Sequence, residues 1–166
     1  MSIPLAVVGA VIAALLETSV LPELTIAGAK PDLVLVLAVA STTMIAVEDG
    51  FAWAFVGGLM LDLLTPARQL GATSFALLLL VGAATVAGRL VPHRRVATTV
   101  LIVAVLAVVY QFLMAAVLGF TTGVSASPGL GSIVPVVLLD TVLAIPVALA
   151  LQLLWRRFGA HERIEW

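Results

Sequence analysis

A few acidic and glycine positions in an otherwise apolar chain carry whatever chemistry it has. The stretch Gly57-Gly58-Leu59-Met60-Leu61-Asp62-Leu63-Leu64-Thr65-Pro66 holds one carboxylate among aliphatic side chains. Asp62 follows the two glycines by about one helical turn. Pro66 closes the run, since proline lacks the amide donor and its ring clashes with the preceding turn. Glu17 and Asp140 are two further acids inside apolar runs. A charged side chain at the bilayer centre costs about 2.5–3.5 kcal/mol on the insertion scale. Each of these acids therefore needs a partner, a wet cavity or a proton. For Asp62 the functional reading is a helix–helix or partner contact; the plainer one is an acid near a helix end that reaches water. For Asp140 the alternatives are a cavity beside the Pro146 break and a structural bond to Thr141 or a neighbouring helix. Glu17 reads first as an acid close to the headgroups.

Two intramembrane aspartates also invite comparison with an acid–base dyad sharing one proton. A lipoprotein signal peptidase uses two aspartates with asparagines beside them, and this chain has no asparagine. There is no Gly-x-Ser-x-Gly elbow and no histidine inside a span. No catalytic residue is assigned. His93 and His161 lie in polar segments without a ligand set, and there is no cysteine, so no metal ligand and no cofactor is expected.

The elements that must position these groups follow from composition. Of 166 residues, 63% are hydrophobic and 10% charged, with a mean hydropathy of +1.25. Soluble domains are nearer half apolar and a quarter charged. The sequence predicts an all-α membrane protein, a single domain over 1–166. A net charge of −1 with eight basic residues argues against nucleic-acid binding.

Six spans are predicted, at about 3–21, 31–47, 51–65, 70–91, 96–120 and 133–155. Pro31-Asp32 suits the start of the second, because proline fits a first turn and an acid suits the positive end of the helix dipole. The third is short: fifteen residues rise only about 22 Å against a hydrocarbon core of roughly 30 Å. It must extend further, thin the bilayer or sit sheltered in the bundle. Ala27-Gly28-Ala29 has the small residues of a signal cleavage site, but no basic segment precedes the apolar run, so the first helix reads as retained. The loop from Thr121 to Ser132 is the longest connection.

With both termini in the cytoplasm, Arg89, Arg94, Arg95, Arg156, Arg157 and Arg163 fall inside and only Lys30 and Arg68 outside. The arginine pairs are topology anchors that favour anionic lipid. Trp53 and Trp155 then fall at the inner interface. Glu17, Asp62 and Asp140 fall in the outer half, where three carboxylates could surround one polar site. Small residues recur every four positions at Ala6/Ala10/Ala14, Ala54/Gly58 and Ala84/Gly88, a spacing that permits close helix packing. Tyr110 and Gln111 read as a buried hydrogen-bonding pair.

The segment from Leu21 to about Gly88, roughly 40% of the chain, resembles the rod shape-determining protein MreD family. The resemblance rests on Leu21-Pro22, on Pro31-Asp32-Leu33-Val34-Leu35-Val36-Leu37, on the box Gly57-Gly58-Leu59-Met60-Leu61-Asp62-Leu63-Leu64, and on Leu70-Gly71-Ala72-Thr73-Ser74-Phe75-Ala76. It implies a non-enzymatic scaffold in the bacterial cytoplasmic membrane. It implies binding to the single-span protein MreC, and association with RodA and its transpeptidase partner and, indirectly, with MreB. It also implies a fold similar to the six-helix substrate-binding subunits of energy-coupling-factor transporters. On this reading Gly57 and Gly58 accept an MreC helix and Asp62 fixes its register. The alternative is a solute-binding, vitamin-type transporter subunit, with a cavity lined by Tyr110, Asp140 and Glu17. Against it, only 6% of residues are aromatic, few for a pocket that stacks rings.

Overall fold

The computed structural model describes residues 3–21, 29–65, 70–90, 96–122 and 129–158. Seven α-helical segments cover them: α1 (Ile3–Ser19), α2 (Leu33–Met44), α3 (Val47–Ala52), α4 (Gly58–Leu64), α5 (Ala72–Leu90), α6 (Val96–Thr122) and α7 (Leu130–Phe158). A π-helical turn, Trp53–Gly57, joins α3 to α4 without a break. The three pieces form one rod over 47–64, so six rods cross the bundle. α5, α6 and α7 are each long and apolar enough to cross a membrane, while α1 and α2 are shorter.

The third rod resolves the length problem of its sequence. It starts at Val47 rather than Phe51, because Glu48 and Asp49 enter its first turn, where acids meet the positive end of the dipole. It is also sheltered: Asp49, Gly50, Trp53, Ala54, Gly57, Gly58, Leu61 and Asp62 are all buried.

α2 is the hub. Its twelve residues span only about 18 Å, and nine of them are buried, so it is apolar on every side as an enclosed helix must be. It packs against α1, α3, the π turn, α5, α6 and α7. It ends earlier than the sequence suggests, at Met44, where Ala46 turns extended before the third rod begins. α6 and α7 reach much further, at about 40 Å each. The start of α2 is bonded to Asp140, ten residues into α7, and so lies about 15 Å along that helix rather than level with its end.

The alanines of α1 do the expected packing, within this chain. Ala6, Ala10 and Ala14 have no exposed surface, while Leu5, Val8, Ile12, Leu15 and Leu16 face outward. Beside this stripe, a Cβ on Gly9 would come within 2.8 Å of the Trp53 ring. That contact corrects the placement of Trp53. Its indole is buried against α1 rather than exposed at a headgroup interface, and its Nε1 has no hydrogen-bond partner. The sequence could not show this, because a tryptophan near a span end usually marks an interface.

α7 runs from Leu130, so the loop predicted over Thr121 to Ser132 is shorter at both ends, α6 continuing to Thr122. Pro135 and Pro146 both lie inside α7. Pro66, Arg68, Pro92 to Arg95, Ala27-Gly28, Pro128 and the tail from residue 159 lie outside the described residues. So do the side chains of Trp155, Arg156 and Arg157.

Candidate functional site

Glu17, Asp62 and Asp140 each serve the start of a helix other than their own. An α-helix leaves its first backbone N–H groups without intrahelical partners, and its N-terminus carries a partial positive charge. Inside a bilayer no water can satisfy those donors. An acid from a neighbouring helix answers the first need directly, and its own burial is offset by the hydrogen bonds it accepts.

At the start of α2, the Val34 amide donates to Glu17 Oε2 at 2.9 Å and the Asp32 amide donates to Asp140 Oδ1 at 2.7 Å. Asp32 itself stands at the N-cap position, and its side chain makes no capping bond. Residues from α1 and α7 therefore supply the cap that local sequence does not. Glu17 and Asp140 are 3% and 0% exposed. The second oxygen of Asp140 has no partner.

At the start of α5, Asp62 does the same work. The Gly71 amide donates to its Oδ2 at 2.9 Å, and the Thr73 amide donates to both oxygens, at 3.1 and 3.3 Å. Gly71 has a positive φ of 90°, the left-handed region that glycine enters without penalty, and this aims its N–H at Asp62. The glycines preceding Asp62 let α4 come close enough for this to happen. A Cβ on Gly58 would lie 2.6 Å from the Ser74 Cα, and one on Gly57 would lie 2.5 Å from Val34 Cγ1. The Ser74 hydroxyl in turn donates to the Phe55 carbonyl in the π turn, at 3.3 Å.

The expected three-carboxylate site thus separates into two. Glu17 and Asp140 meet with Asp32 at α2, and Asp62 serves α5. Asp62 and Asp140 cap different helices and do not form a shared-proton dyad. Among the described residues no group of three His, Asp or Glu side chains is placed to hold a metal ion. The expectation that Gly57 and Gly58 admit a partner's helix meets a different arrangement. Both are buried against this chain's own α2 and α5, and Asp62 is 3% exposed with its oxygens already accepting amides.

Sequence reasoning missed the caps themselves, although the signal was present. Three acids set in apolar runs, Glu17, Asp62 and Asp140, each need a hydrogen-bond donor, and helix starts such as those at Pro31-Asp32 and Gly71-Ala72-Thr73 offer free amides. It also missed a hydroxyl network at the far end of α2. There the Thr43 and Thr99 hydroxyls meet at 3.1 Å, and Thr42 donates to the Ala38 carbonyl at 2.7 Å. Tyr110 is buried as expected, but Gln111 is only half-buried and makes no side-chain hydrogen bond.

No curated protein and no solved structure matches the chain, so the expected likeness to energy-coupling-factor subunits gains no support from known folds. The family model for the rod shape-determining protein MreD matches residues 2–158 of the 166. With nearly the whole length matched, this membrane protein belongs to the MreD family, and that membership implies a part in rod shape determination.

Proposed function

We propose that the chain is a non-enzymatic scaffold of the bacterial elongation machinery, a multi-pass protein of the cytoplasmic membrane that binds MreC and supports peptidoglycan synthesis. RodA with its transpeptidase partner, and MreB indirectly, complete the assembly. The observation that carries this reading is the use of Glu17, Asp62 and Asp140 as caps on this chain's own helix starts. Each of the three holds a neighbouring rod in place, which is what a rigid docking platform needs.

Gly57, Gly58 and Asp62 enter the proposal as positioning residues. They fix the depth and rotation of the third rod. That rod then presents Phe51, Phe55, Leu63 and Leu64 outward as the face offered to MreC. Burial of Tyr110, Asp140 and Glu17 lends no support to the transporter alternative, which needed them to line an open cavity.

Co-purification of MreC with the full-length chain tests the proposal. Gly58→Leu and the surface pair Phe55→Ala/Leu63→Ala should each lower MreC recovery at least fivefold. Val142→Ala, on the exposed side of α7, should leave it unchanged. Wild-type recovery with both Gly58→Leu and the surface pair would sink the assigned face.

A further inference from the structure

The third rod buries its residues in adjacent pairs four positions apart: Asp49-Gly50, Trp53-Ala54, Gly57-Gly58 and Leu61-Asp62. A regular α-helix turns about 100° per residue, so a step of four residues overshoots one turn by about 40°. Carried without interruption from Asp49 to Asp62, the four pairs would spread over about 220° of the helix surface. Both halves of the rod are nevertheless held closely by this chain. In the first half, a Cβ on Gly50 would overlap the Thr42 hydroxyl of α2. In the second half, Asp62 accepts the Gly71 and Thr73 amides at the start of α5. The π turn, Trp53–Gly57, lies between these two contacts. Its i to i+5 bonding holds one residue more per turn than an α-helix does. That winds the second half back by about 100°, and the four pairs then fall within about 160°. Ala52 and Gly58, on either side, keep ordinary helical dihedrals, with φ and ψ of −62° and −44° and of −62° and −43°.

We propose that the π turn is a register adapter: the rod carries one residue more than its buried face needs, and the turn absorbs it. One rod can then seat Gly50 against α2 and Asp62 at the start of α5 at the same time. Close contacts on both sides fix the turn where it is. Moved toward Val47, it would bring Phe51 into the place of Gly50, against Thr42. Moved toward Leu64, it would bring Val56 into the place of Gly57, against Val34. Neither side chain fits where a single added Cβ already collides. The Ser74 hydroxyl, bonded to the Phe55 carbonyl at 3.3 Å, ties the turn to α5.

Removing and adding one residue in this turn then have unequal results, whereas in a regular helix both changes turn everything beyond them by about 100°. Deletion of half-buried Val56 from the full-length protein leaves an uninterrupted α-helix with all four pairs on one face and Phe55 still outward. Its Tm should stay within about 4 °C of wild type, and the Gly71 and Thr73 amides should keep their protection from hydrogen exchange. Insertion of one alanine after Val56 turns Asp62 away from those amides. Deletion of Leu79, exposed on α5, turns the rest of that helix out of the core. Each of these two changes should lower Tm by more than about 10 °C or yield no folded protein. A Val56 deletion that falls as far as the other two, or that loses protection at Gly71 and Thr73, overturns the proposal. So does wild-type stability in either the insertion or the Leu79 deletion.

Discussion

Gly58→Ala is the smallest change that strikes the packing on which the Asp62 cap depends. The added methyl group would lie 2.6 Å from the Ser74 Cα and 2.8 Å from its backbone nitrogen. Neither atom belongs to a flexible side chain that can swing aside. To restore ordinary contact at 3.4 Å, α4 and α5 must separate by about 1 Å. Overpacking of this kind costs about 1–3 kcal/mol. The same separation stretches the 2.9 and 3.1 Å bonds from the Gly71 and Thr73 amides to Asp62. Weakening these buried hydrogen bonds adds about 1–2 kcal/mol. A total of about 2–5 kcal/mol in a chain of this size lowers Tm by roughly 4–20 °C. Thermal unfolding of the purified protein in one detergent, followed by helical circular dichroism, reads this directly. Gly82→Ala is the control: Gly82 lies inside α5, and a methyl group added there meets nothing within 4 Å. It should leave Tm unchanged or raise it by roughly 1–4 °C, since alanine is favoured over glycine in a helix by about 0.5–1 kcal/mol. Equal Tm values for the two variants would refute the claim that α4 and α5 are in backbone contact at Gly58.

Asp62→Leu should cost about 2–5 kcal/mol, because it removes the acceptor of one buried and one half-buried amide, and Asp62→Asn roughly half of that, because the side-chain carbonyl still accepts; the same melting assay ranks them. Glu17→Leu removes one acceptor, at Val34, and should cost about 1–3 kcal/mol. Ser74→Ala frees the Phe55 carbonyl and should lower stability by about 1 kcal/mol without altering helix content. In a Trp155→Phe/Trp166→Phe background, the remaining Trp53 should emit at short wavelength and resist quenching by acrylamide, since it is 7% exposed. Emission and quenching typical of an interfacial indole would contradict its burial against α1.

Much of the architecture is legible because hydrophobic runs and proline breaks are local signals. The six rods fall where the runs fall, and Asp32 does stand at the head of α2. What the sequence hides depends on residues far apart in the chain. Asp140 and Asp32 are 108 positions apart, and nothing local at either one announces their bond. The third rod begins earlier than its apolar run because Glu48-Asp49 reads as a loop, whereas a helix start accommodates acids. Trp53 misleads for the opposite reason, since a rule about interfaces fails for a residue that a glycine on another helix makes room for. Gly57 and Gly58 are points of close approach, as their spacing predicts, but the approaching helices are this chain's own.

Residue-resolved hydrogen exchange at the Asp32, Val34, Gly71 and Thr73 amides, in the wild type and in Glu17→Ala and Asp62→Ala, tests most directly whether the intramembrane acids serve as caps. Loss of Glu17 should speed exchange at Val34 at least tenfold and leave Gly71 and Thr73 protected, while loss of Asp62 should do the reverse. Unchanged protection at Val34 in the first variant and at Gly71 and Thr73 in the second would mean that other groups hold those helix starts.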